Sequence, residues 1–171
     1  MDKLPVYSDT AERLTLGTDE LTVLATSAET AGALFAVMVR MPPGGGPLVM
    51  HRHDPDEVYY VVGGQFTFYT GGPDTPVERF TAGPGQVVAL AGGTAHTVRN
   101  ESDCRRLRLV VHAPGAPMEN FSRAAAALAA DQPPSMEAVL AIAQRQGIEL
   151  LGPIPVSQSR TTDGAHFLAK S

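Results

Sequence analysis

At 171 residues and 43% hydrophobic side chains, the chain is long enough to bury one real core and too short for two full domains. Thirteen basic against eighteen acidic residues give a formal net charge of -5, and no Lys/Arg cluster exceeds Arg105-Arg106, which argues against nucleic acid or an anionic membrane as partner. Cys104 is the single cysteine, so an intrachain disulfide and a thiolate-rich zinc site are excluded, and any metal must be held by nitrogen and oxygen.

In chain order, MDKLPVYSDTAERL lacks the apolar run of a secretory signal, and no stretch approaches the roughly 18 apolar residues of a membrane span. A cytoplasmic protein is expected. From about 14 to 113 the chain alternates short β-branched or apolar runs with Gly/Pro/Asn/Asp punctuation, the pattern of an antiparallel sandwich or barrel. Strands are predicted at 21–27, 33–41, 49–53, 57–62, 65–70, 86–90, 96–100 and 106–112, with turns at 42–47, 71–76 and 82–86.

After Pro117 the character changes. NFSRAAAALAA (120–130) and SMEAVLAIAQRQG (135–147) predict two helices. In the second, Ser135 reads as N-cap and Gly147 as stop, and Met136, Val139, Leu140 and Ala143 form the stripe expected to pack on the barrel. The expected organisation is a β-barrel domain over 1–115, a helical extension over 116–155 and a polar tail over 156–171.

The chemistry concentrates in HRHDPDEVYYVVGG (51–64). Alternate strand residues share a face, so His51 and His53 project together while Arg52 points away. Asp54-Pro55-Asp56 reads as a tight turn, after which Glu57 can return a carboxylate to the same centre. Glu57, Tyr59 and Val61 then share a face. An isolated His-x-His pair is more often exposed or hydrogen-bonded than ligating; a third histidine, His96, follows a glycine turn in GQVVALAGGTAHTVRN (85–100).

Here the chain resembles the cupin superfamily. The motif Gly-x5-His-x-His-x3-Glu-x6-Gly is matched by Gly45, His51, His53, Glu57 and Gly64; Gly-x5-Pro-x-Gly-x2-His-x3-Asn is matched by Gly85, Gly93, His96 and Asn100, with Ala91 in place of proline. The resemblance covers roughly 30 to 113, and the downstream helices look like those of small quercetinase-like single-cupin proteins. It implies an all-β fold, a double-stranded β-helix (jelly-roll barrel) with a short C-terminal helical extension, in which His51, His53, Glu57 and His96 hold one divalent transition metal. Such a nitrogen and oxygen set suits Fe, Mn, Ni, Co, Cu or Zn. Four protein ligands leave coordination positions for substrate or dioxygen, and Glu57 would double as catalytic base. Family habit also implies a homodimer.

The candidate substrate contacts are Tyr59, Phe66, Phe68, Met38 and His112, each weighed against an ordinary core or strand-end role. His166 reads as solvated, Cys104 as an inert loop cysteine whose pKa Arg105 could lower, and Arg105, Arg106 and Arg108 as a solvated strand edge. Three functions compete. The first is a quercetinase-like dioxygenase on a small aromatic, enolic or polyketide-type substrate; the second is a non-redox metal-dependent isomerase, cyclase or decarboxylase; the third is a non-catalytic module binding a small ligand or metal.

Overall fold

The computed structural model describes residues 7–73, 75–129 and 134–154. Among them the strands are β1 (Arg13–Leu16), β2 (Asp19–Ala25), β3 (Phe35–Met41), β4 (Val49–Arg52), β5 (Asp56–Gly63), β6 (Phe66–Thr70), β7 (Glu78–Ala82), β8 (Val87–Leu90), β9 (His96–Arg99), β10 (Arg106–Ala113) and β11 (Glu149–Pro153), with helices α1 (Ala116–Leu128) and α2 (Met136–Arg145) before β11. They build two antiparallel sheets, ordered β1-β2-β3-β10-β5-β8 and β11-β4-β9-β6-β7. The expected all-β jelly roll with helices after the barrel is what forms.

The core follows from period two. On β3, Phe35, Val37, Val39 and Met41 are buried while Ala36, Met38 and Arg40 between them are more exposed. Tyr59 and Val61 of β5, Phe66 and Phe68 of β6, Val98 of β9 and Val110 of β10 close the same interior from both sheets. Each such side chain contributes about 1.5–3 kcal/mol on leaving water.

All eight predicted strands form, their ends shifted by at most two residues. Three strands were not anticipated. β7 exposes four of its five residues, so it has no apolar alternation to read, and β1 is short. β11 contains Gly152 and Pro153, ordinarily breakers; Gly152 takes φ +100 where the register with β4 shifts. α1 begins at Ala116, earlier than predicted, because Pro117 falls in its first turn, where the missing N–H costs nothing. Ser135 caps α2 as expected, its hydroxyl accepting from the Ala138 amide at 3.2 Å. The buried face of α2 needs correction: Ile142 and Ala143 are buried, whereas Met136 and Leu140 are 66% and 37% exposed.

The segment beyond the barrel is tied down at two points. Glu119 of α1 accepts from both the amide and the hydroxyl of Ser27 at 2.6 Å and receives Arg123 Nε at 2.9 Å. After α2 the chain returns to the barrel and β11 pairs with β4. The tail over 156–171, with His166, lies outside the described residues. Among those described, no helix is long and apolar enough to cross a membrane.

Candidate metal centre

β4 turns His51 toward the interior, and its register partner on β9 is His96, with ring centroids 4.5 Å apart. On the facing sheet, Glu57 of β5 and His112 of β10 are likewise register partners. The centre is therefore one cross-strand pair from each sheet, meeting across the barrel. His53 stands just past the end of β4, at the bend that crosses to β5, with its ring 5.9 Å from that of His51 and 5.3 Å from that of His96. One ligand nitrogen from each of His51, His53 and His96 lies within 4.8 Å of the other two. These three histidines could hold a metal ion.

The loops are strapped together so that the ligands keep this spacing. The Gly92 amide donates to Asp56 Oδ1 and the Gly93 amide to the His53 carbonyl, both at 2.7 Å. A Cβ on Gly92 would fall 1.8 Å from the Asp54 carbonyl oxygen, so only glycine permits this approach. Ala91, in the place of the motif's proline, still closes the turn by accepting from the Thr94 amide at 3.1 Å. Asn100, fully buried, ties the far end of β9 to the carbonyls of Met41, Pro42 and Cys104.

Hydrogen bonding prepares the imidazoles for a cation. His53 Nδ1 pairs with the Pro55 carbonyl at 3.0 Å and His96 Nδ1 with the Thr94 carbonyl at 2.9 Å, which assigns the proton to Nδ1 and leaves the Nε2 lone pair toward the centre. His96 Nε2 is 2.8 Å from Glu57 Oε2; His53 Nε2 is 3.3 Å from Oε1 and has no hydrogen-bond partner. Two lone pairs cannot face a carboxylate at these distances without a cation between them. A proton can serve, and so can a divalent ion; the donor set of three nitrogens beside a carboxylate fits the latter.

Charge in the centre is correspondingly polarised. Burial alone would raise the Glu57 carboxyl, but His112, at 2.8 Å, and the neighbouring imidazoles of His53 and His96 outweigh it and hold it well below the usual carboxylate range. The Tyr59 hydroxyl also donates to Glu57 and, pushed well up by burial and by the Glu57 charge, stays protonated. Burial and the neighbouring His96 and His53 bring His51 down to about 3 against the pull of Glu57, so its imidazole is neutral near pH 7. At His96 burial acts downward, yet the hydrogen bond and charge of Glu57 prevail and raise it. A metal would displace that proton.

The remaining candidates divide. Tyr59 is in the centre; Phe66 and Phe68, both fully buried, wall the interior, Phe68 edge-on to Tyr59 at 5.3 Å. Met38 falls on the opposite face of β3 from the buried row, away from the histidines. His112, weighed as a strand-end histidine, lies inside the centre. Arg108 is also corrected: on β10 it shares the buried parity with Val110 and His112, is 6% exposed, and sits 4.9 Å from the Phe66 ring centroid and 5.5 Å from that of Tyr59. Cys104 is exposed, and its hydrogen bond to Asp103 and the charge of that residue push its thiol up, opposite to the lowering Arg105 suggested. A separate cavity of about 390 Å³ lies between the β6–β7 connection and β11, lined in part by Met50, Pro76 and Leu151.

Two facing sheets with imidazoles meeting between them define a class, and comparison with known proteins agrees. Residues 37–112 match the model of the Cupin domain family. Among solved structures, the chain is similar to oxalate decarboxylase from Bacillus subtilis, with a TM-score of 0.54 and 17% identity over 64% of this chain and 29% of that one. One structure of that enzyme is described by its Mn(II) centres. It is similar also to the Lactobacillus farciminis oxalate decarboxylase formate complex, with a TM-score of 0.53 and 19% identity over 61% of this chain and 31% of that one. The cupin-superfamily sugar phosphate isomerase from Silicibacter pomeroyi gives 0.50 and 20% over 61% and 72%. The chain thus spans under a third of the decarboxylase chains, and at these identities the likeness is one of fold. No functionally curated protein matches it in sequence.

Proposed function

We propose that the chain is a metal-dependent enzyme in which His51, His53, His96 and Glu57 hold one divalent transition metal and a small substrate is bound through hydroxyl and carbonyl oxygens. The observation that carries this reading is the convergence of three imidazole nitrogens within 4.8 Å beside a buried carboxylate. A redox-capable ion there would supply Lewis-acid polarisation and access to dioxygen. The chain's own residues do the rest. Glu57, kept ionised, accepts a substrate hydroxyl proton at its carboxylate; His112 Nε2–H and the Tyr59 hydroxyl fix the orientation of that carboxylate; Phe66 and Phe68 keep water from the interior. The reaction read first is oxygenation of an aromatic, enolic or polyketide-type substrate of the quercetinase kind, in a cytoplasmic protein. Oxygen uptake with a flavonol is expected from metal-loaded protein and absent in His96→Ala. No uptake with any redox-active metal would remove this reading.

The second reading is non-redox proton-transfer chemistry, an isomerisation or decarboxylation. It is favoured by the number of protic groups, His112 and Tyr59 besides the histidines, that converge on Glu57. Turnover that persists without oxygen and with zinc as the metal would select it over the first.

A further inference from the structure

Arg108 is a cation in the barrel interior for which the centre described above has no use. Among the described residues its hydrogen bonding is limited to a weak contact from Nη1 to Met41 Sδ at 3.6 Å, and its Nε is buried without a partner. A guanidinium offers five donors in a planar fork shaped for an oxyanion, and burying it without one is costly. Aromatic rings hold it in place, Phe66 at 4.9 Å and Tyr59 at 5.5 Å, but rings accept no such hydrogen bonds. Of the acids in its electrostatic surroundings, Asp19 acts more strongly than Glu57, but no hydrogen bond joins it to Arg108, and its Oδ1 accepts from the Gly46 amide and the Thr18 hydroxyl.

The charge count points the same way. With a divalent ion on three neutral imidazoles, Glu57 cancels one of its two charges and no longer offsets Arg108. The interior then carries excess positive charge, which an anionic ligand would neutralise. Position follows from Tyr59: Arg108 lies against its ring, while its hydroxyl meets Glu57 and stands 3.3 Å from His96 Nε2. Guanidinium and centre thus touch the same side chain, one at the ring face and the other at the hydroxyl. Phe66 and Met41, which lie against the guanidinium, are fully buried.

We propose that Arg108 is the substrate-recognising cation of the barrel and that the substrate carries a carboxylate about one ring's width from the oxygens that meet the metal centre. This rests on the metal-centre reading above. The probes are kojic acid and comenic acid, which share a hydroxypyranone chelate and differ in bearing a hydroxymethyl or a carboxylate across the ring. Titrated into cobalt-loaded protein, both report chelation through the visible cobalt spectrum. Comenate is expected to bind at least about tenfold more tightly, a preference lost in Arg108→Met and partly kept in Arg108→Lys, with cobalt content unchanged in each. Binding of both without preference, or a preference that survives Arg108→Met, overturns the assignment of Arg108 alone. If neither perturbs the spectrum of stoichiometrically loaded protein, the chelating-substrate reading falls and this proposal with it. Absence of the wild-type preference overturns the proposal even if the variants fail to fold.

Discussion

His112 holds Glu57 from the strand next door, its Nε2 at 2.8 Å from the carboxylate and its ring stacked on Phe35 at 5.9 Å. Replacement by phenylalanine keeps the stacking and removes the bond. Metal content by elemental analysis should stay stoichiometric while turnover falls about 10–100-fold, the usual cost of losing a group that orients a ligand. The sign of the pH effect is also fixed. His112 lowers the Glu57 carboxyl, so His112→Phe lets it rise, and the acid limb of the rate profile should move to higher pH. An unmoved limb would show that His112 only fills space. At this scale His51, His53, Glu57 and His96 were legible because their spacing is itself the signal. His112 was legible only as a candidate substrate contact, and Arg108 was read as a solvated edge: the place of each becomes visible only once the inward parity of β10 is known, and three arginines in four positions imitate a solvated edge.

Among the elements, the Gly92–Gly93 turn governs the relative placement of the two ligand-bearing loops. Gly92→Ala puts a methyl group into the Asp54 carbonyl, with nothing flexible there to yield. The strap to Asp56 must open, and metal affinity measured by competition with a chelator should fall about tenfold or more, while the fold melts at a lower temperature. α1 offers a test of different kind. Glu119, its side chain 9% exposed, is opposed by burial but held below the usual carboxylate range by Ser27 and Arg123. Because its folded-state value is depressed, its contribution is present above the unfolded value near 4.5 and is lost as pH falls below it. Glu119→Gln should therefore cost about 1–2 kcal/mol by denaturant unfolding at pH 7 and progressively less below pH 4.5; a cost independent of pH would refute the assignment. The eight strands with apolar alternation were readable, and so was the Ser135 cap. β7 and β11 were not, since the first is polar on both faces and the second is written in Gly and Pro.

Over the whole molecule, the six-stranded sheet has an outer face that the described residues leave open. Val58, Tyr60, Val62 and Val87 are 40–61% exposed, and Leu109 and Met38 continue the patch across β10 and β3. Its border is charged, with Glu20 bridging Arg13 and Arg40. An apolar centre inside a polar rim is the anatomy of a protein interface, and we propose that a second copy of the chain covers it, sheet on sheet about a two-fold axis. Light scattering should give the dimer mass for the parent chain and the monomer mass for Tyr60→Glu; a monomeric parent would end the proposal. The double-sheet architecture was legible in the sequence from turn spacing and motif, because a barrel interior must be apolar at every second residue. The partnering of β4 was not, because the strand that completes its sheet comes from beyond the helices.

That late partner bears on how the chain is made. β4 carries His51, and Leu150 of β11 is the residue that pairs with it, almost a hundred positions downstream. At ribosomal rates of roughly 5–20 residues per second, several seconds separate the emergence of the two strands. Throughout that interval the strand that carries His51 presents an open edge to whatever is nearby. The growing chain can close its sheet only when its last described residues arrive, so premature metal capture or edge pairing during synthesis would act on a barrel whose His51 wall is still unfinished.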